Sequence, residues 1–154
     1  MTTDVDVDLV LDFLNTIDVE DGTDVLGDLV GWHAWLSAHG LTAADVTPVR
    51  DARTAMRAAV GEPGSAAPGL SAQVTVSLDT GTPRLVAGDV VGAVLAAASR
   101  LVVLGEWDRI KICPADDCRW AFFDRSRNHS RTWCSMRVCG NREKARAWRE
   151  RARG

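Results

Sequence analysis

Cys113-Pro114-Ala115-Asp116-Asp117-Cys118 and Cys134-Ser135-Met136-Arg137-Val138-Cys139 contain all four cysteines of the 154-residue chain, as two Cys-x4-Cys pairs separated by fifteen residues. Two matched pairs around an interposed segment form the pattern of a closed four-thiolate zinc site, because each short loop lets both of its sulfurs turn toward one soft, tetrahedral ion. Cys113, Cys118, Cys134 and Cys139 are therefore expected to hold a single structural Zn2+. A catalytic zinc keeps an open position and a nearby general base, and four sulfurs leave no such position. His129 lies between the pairs and reads as a surface or phosphate-contacting side chain.

Around the pairs, Trp120, Phe122 and Phe123 supply strand-forming aromatics, Asp124 to Ser130 is polar and turn-like, and a helical pattern runs from Gly140 to Arg153. At helical spacing, Arg142, Arg146, Arg149 and Arg153 fall within about 60°, and Ala145, Trp148 and Ala152 form a separate stripe roughly 100° away that is expected to pack. Arginine forks match phosphate oxygens bidentately, so this row predicts a nucleic-acid surface. Arg125, Arg127, Asn128, Arg131, Arg137 and Asn141, from the same region, complete the expected contact set. The competing reading is a solvated charged face carrying Glu143–Arg146 and Arg146–Glu150 pairs.

The formal net charge of −3 hides a division along the chain. Residues 1–108 set five Arg and no Lys against sixteen acids, leaving −11, whereas residues 109–154 set thirteen basic residues against five acids, leaving +8. Four thiolates on one Zn2+ add about −2, so the tail stays strongly basic. An acidic body with a basic tail predicts an anionic partner for the tail alone. The alternative is mutual neutralisation of the two ends within one fold.

The body reads as mostly helical. Helices are expected over 8–17, from an Asp24 cap to a stop at Gly40, from Thr47-Pro48 to Gly61, and from Val90 to about Trp107, the last apolar enough to form the centre. Gln73 to Leu78 and Arg84 to Ala87 flank a turn and predict one short β-hairpin. The fold class is thus α+β: an acidic helical body over 1–108 with one hairpin, then a treble-clef-like zinc finger over 109–154 ending in a basic helix. The longest apolar run is shorter than the roughly 20 residues a bilayer requires. Asp4, Asp6 and Asp8 stand where a secretory leader would carry basic residues. The chain is therefore expected to be cytoplasmic, without a membrane partner.

Phe122-Phe123-Asp124-x-Ser126-Arg127-Asn128, followed by Arg131-x-Trp133-Cys134-Ser135-Met136-x-x-Cys139-Gly140-Asn141-Arg142-x-Lys144, resembles the CGNR zinc-finger family. Leu11-Asp12-Phe13-Leu14-Asn15-Thr16 is similar to the opening of the ABATE-type domain that accompanies this finger and is described as a stress-induced transcription regulator. The resemblance implies a bacterial, cytosolic protein with a ligand-sensing or regulatory body, and a finger that binds DNA with zinc on the four cysteines. The chain departs from the family between Gly61 and Gln73, where a Pro/Gly loop replaces further helix.

Three functions compete at this point. The first is a zinc-finger transcriptional regulator that binds DNA through the basic helix, its body sensing a small-molecule effector or forming a homodimer. The second is a zinc-stabilised protein-interaction module. The third is a small-molecule binder or enzyme using the body, for which Asp12 and Asn15, at i and i+3, are the candidate ligand residues. No Ser/His/Asp set, phosphate-cradling glycine loop or carboxylate pair stands out, so enzymatic activity is not expected.

Overall fold

A computed structural model describes residues 2–42, 45–66 and 68–154. Its first helix, α1 (Thr2–Leu14), begins six residues before the expected start at 8. The Asp-Val-Asp-Val-Asp alternation is helical because Asp6 turns inward: its carboxylate receives two bonds from Arg100, at 2.8 and 2.5 Å. Val7, Val10, Phe13 and Leu14 lie on the same inward side and are almost wholly buried.

The acidic loop after α1 is pinned into a two-residue ladder, β1 (Ile17–Asp18) against β2 (Thr23–Asp24). Asp24 caps only one 3-10 turn, Val25–Gly27. Asp28 restarts the chain as α2 (Leu29–Ala38), accepting from the N–H groups of Val30 and Gly31. Two capping aspartates four residues apart divide what periodicity alone presents as one helix. Asp45, not Thr47, caps α3 (Val46–Ala59).

β3 (Val74–Ser77) and β4 (Arg84–Ala87) form the expected antiparallel hairpin. α4 (Val90–Val103), capped by Asp89, is the central helix, and α1 packs chiefly against it. Its alanines, among them the buried Ala97 and Ala98, let Val10 and Phe13 approach closely in the same core as Val94 and Leu101. α4 stops four residues before Trp107 because the chain turns at Gly105 (φ 71°), where Glu106 N–H bonds back to Leu101 O at 2.8 Å. The last two strands, β5 (Ile110–Ile112) and β6 (Ala121–Phe123), pair antiparallel, and the first cysteine loop is their connection. Ile110, Ile112 and Ala121 enter the same apolar core as the helices.

Periodicity missed two buried cations on α3. Arg53 makes a two-pronged pair with Asp24 (2.7 and 2.8 Å) and also reaches Thr16 Oγ1. Arg57, 3% exposed, donates to Glu62, Leu14 O and Arg119 O. Arginine suits such sites because its planar fork satisfies several acceptors at once, and a body with five Arg and no Lys carries that signal.

The Arg53 hydrogen bonds hold the Asp24 carboxyl below its ordinary value of 3.8. A depressed carboxyl contributes stability that is present above that value and lost as the pH falls below it. Asp24→Asn is therefore expected to lower stability at neutral pH and to flatten its decline in acid, as read by urea melts at a series of pH values. An unchanged acid slope would contradict that role.

Candidate metal centre and nucleic-acid interface

β5 and β6 set the first pair of cysteines. Cys113 N–H bonds to Trp120 O at 2.9 Å, closing the loop, and Cys118 N–H bonds to Ala115 O at 3.0 Å. Arg119 takes a left-handed conformation (φ 54°) and is held there by its own guanidinium on Pro114 O and Asp116. Of the second pair, Cys134 precedes a π-helical turn, Met136–Gly140, and Cys139 lies within it, at the point where the chain runs straight into α5 (Asn141–Arg153).

The four sulfurs converge, all within 4.8 Å of one another, with Cys118–Cys134 and Cys134–Cys139 at 3.5 Å. A tetrahedral ion about 2.3 Å from each sulfur would place the sulfurs roughly 3.8 Å apart, and a soft four-sulfur set of this size suits zinc. Cys113, Cys118 and Cys139 are buried, Cys134 is half-buried, and all four are free thiols. Burial pushes the Cys118 thiol up to about 11 and raises Cys134 as well. At Cys139 burial acts in the same direction, but the Arg142 guanidinium and the neighbouring thiols outweigh it and bring the value down. Such an arrangement calls for a divalent cation before all four sulfurs can be ionised together.

The interposed loop is organised around Asp124, which is 0% exposed. Burial would raise its carboxyl, but Lys111 (2.7 Å) and the N–H groups of Ser126 and Arg131 outweigh that and hold it well below the carboxylate range. The same Lys111 ammonium donates to the carbonyls of His129 and Arg131. In the sequence Asp124 stands out only as part of the CGNR-like motif, and Lys111 not at all. Their signal was the scarcity of Lys, only two in the chain, with one placed in a strand beside the cysteines.

Each residue of Cys139-Gly140-Asn141-Arg142 has a place. A Cβ on Gly140 would come within 2.5 Å of Met136 Sδ and 3.1 Å of Trp133. Asn141 Nδ2 donates to Arg137 O. Arg142 donates to Cys139 Sγ at 3.3 Å and pairs with Glu20 (3.2 Å) and Asp117 (3.3 Å). Its guanidinium is thus tied to a cysteine sulfur and to the acidic loop between β1 and β2.

The expected arginine row divides accordingly. Arg142, Glu143, Arg146 and Ala147 are the half-covered residues of α5, and Arg146 pairs with Glu143 at 3.1 Å. Arg149 and Arg153 are exposed. The stripe expected to pack does not: Ala145 and Ala152 are exposed, and Trp148 is 65% exposed. The helix leans on the rest of the protein by its Arg142–Arg146 side, about 100° or more from Trp148. Arg125 lies over Phe123 and Arg131 over Phe122, at 5.3 and 5.0 Å from the ring centres. Arg131 also donates to the carbonyls of Trp133 and Cys134. Arg127, Asn128 and Arg137 are exposed.

The candidate ligand pair of the body lies elsewhere. Asn15 uses both ends of its amide on β6, donating to Ala121 O (2.9 Å) and accepting from Ala121 N–H (2.8 Å). Asp12 faces His39 at 3.3 Å. The Pro/Gly loop still borders an apolar groove of about 440 Å3 between α3 and α4, floored by Met56, Leu95 and Ala98 and flanked by Leu70 and Trp107.

Four converging cysteines from which a basic helix projects are the mark of a zinc-finger protein. The chain belongs to the ABATE family, described as a putative stress-induced transcription regulator, whose model matches residues 7–122; the CGNR zinc finger matches residues 109–152. The two matches overlap on the β5–β6 hairpin, the part that shares core with the body and cysteines with the finger. Both support a regulatory role. No match is found among curated proteins. No helix among the described residues is long and apolar enough to cross a membrane.

Proposed function

We propose that this protein is a cytoplasmic transcription regulator that binds duplex DNA through its finger, with one structural zinc ion per chain. The observation that carries the reading is the placement of charge. Residues 109–154 carry a formal +8, and they end in a helix none of whose residues is buried. Arg127, Arg137, Arg149 and Arg153 stand exposed on that finger, free to meet phosphates. Family membership points the same way. Four sulfurs fill a tetrahedral set, which favours a structural over a catalytic metal.

Arg142 plays an internal part in this reading: it ties the acidic body to the start of the helix. Opposite charges of the two halves also meet at Arg109 and Glu106 (2.9 Å), and the exposed Arg127, Arg137, Arg149 and Arg153 are left for a partner. Binding of the zinc-loaded protein to a mixed-sequence duplex across a salt series tests the proposal. Log affinity is expected to fall linearly with log salt, with a slope of several phosphates. No binding at low salt, or an affinity indifferent to salt, would refute it.

A further inference from the structure

The outward face of α5 is not the arginine row that spacing suggests. At about 100° per residue, Trp148, Ala152 and Ala145 span roughly 60° on the side away from the protein. Lys144 lies about 40° beyond Trp148, with Arg151 a little further, and Arg149 lies about 40° beyond Ala145 on the other side. All six are exposed. The helix therefore presents an apolar and small-residue stripe between two basic flanks, and its acids, Glu143 and Glu150, lie on other sides.

We propose that this stripe enters the major groove of duplex DNA, with Trp148 against the base edges, Lys144 and Arg151 on one phosphate strand and Arg149 on the other. The inference rests on the reading that the finger binds duplex DNA, and it names the face that does so. Charge complementarity selects the occupant. A groove has phosphates along both walls and base edges and thymine methyls along its floor, the same order of basic, apolar and basic that the helix shows. Ala145 and Ala152 allow close approach to the floor. The helix is about 10–12 Å across and about 20 Å long, which fits a groove about 12 Å wide. An acidic protein surface would offer no reason for charge on both sides of a tryptophan that is 65% exposed.

The test uses the full zinc-loaded chain, a labelled mixed-sequence duplex, and the variants Trp148→Ala, Lys144→Gln with Arg151→Gln, and Arg146→Gln. Because all these side chains are exposed or half-exposed, zinc content and melting temperature serve as folding controls. Trp148→Ala is expected to weaken binding about tenfold at fixed salt without changing the salt slope, since it removes contact but no charge. The Lys144/Arg151 double variant should lower the slope by about 2. Arg146→Gln, on the inward side, should bind as the unaltered protein does.

If the unaltered protein binds duplex DNA and Trp148→Ala binds equally well, this face is wrong while the DNA reading stands. If Arg146→Gln is the damaging change, the inward arginines are the contact and the proposal is overturned. Should Trp148→Ala convert a dimer to a monomer in sedimentation with DNA affinity unchanged, the face is a self-association surface instead. Absence of duplex binding by the unaltered protein removes both readings.

Discussion

Stripping the metal from Cys113, Cys118, Cys134 and Cys139 is expected to unfold residues 124–153 while α1 to α4 and the β5–β6 hairpin stay folded. Beyond the hairpin, the apolar cluster around the cysteines holds, among the described residues, only Trp133, Cys134 and Cys139, and no residue of α5 is fully buried. That is too little apolar area to offset the conformational entropy of some thirty residues. In zinc-finger peptides the metal supplies about 10–16 kcal/mol of apparent folding energy, and here it has no substitute. The hairpin is held independently: Ile110, Ile112 and Ala121 lie in the body core, and Asn15 and Arg57 grip β6 and the loop before it. A cavity of about 290 Å3 beside Cys118, Cys134 and Cys139 gives a chelator access. Trypsin after chelation should cut at Arg125, Arg127 and Arg131 and leave a resistant body. Digestion throughout the chain, or no change, would contradict this division.

Arg57→Ala is expected to destabilise the folded body by about 3–5 kcal/mol, the range for breaking a buried ion pair by removing one partner. The substitution strands the half-covered Glu62 carboxylate and removes the donors to Leu14 O (2.7 Å) and Arg119 O (2.6 Å). Asn15→Ala removes two bonds to the same region and should cost less, about 1–3 kcal/mol. Since Arg57 and Asn15 both join α1 and α3 to the hairpin, the double variant should cost less or more than the sum, and a cycle of urea melts measures that coupling. A loss below about 1 kcal/mol for Arg57→Ala would show that the contacts are replaced by water.

The cysteine cluster was legible in the sequence because spacing alone carries ligand geometry. The central helix and the β3–β4 hairpin were legible from apolar content and turn residues. The remainder depended on tertiary contacts that no local pattern contains. Asp6 lies outside the helix expected over 8–17, and only Arg100, ninety-four positions away, gives it a partner inside. Arg53 and Arg57 sat among apolar residues of α3 as if they were interruptions, whereas they join the body together. On α5, spacing correctly separated an arginine row from a tryptophan stripe but could not tell which side leans on the protein. That choice is made by Arg142, through Cys139, Glu20 and Asp117. Asn15, read from the sequence as a candidate ligand residue, holds a strand through both ends of its amide.

In the proposed function, zinc serves to present α5 to DNA. The decisive measurement is the affinity of the intact chain for a duplex at one low salt concentration, before and after chelation and again after zinc is restored. A large loss of affinity on chelation and full recovery with zinc are expected. Equal affinity without the metal would mean that the basic tail binds by charge alone, and would contradict that role for zinc.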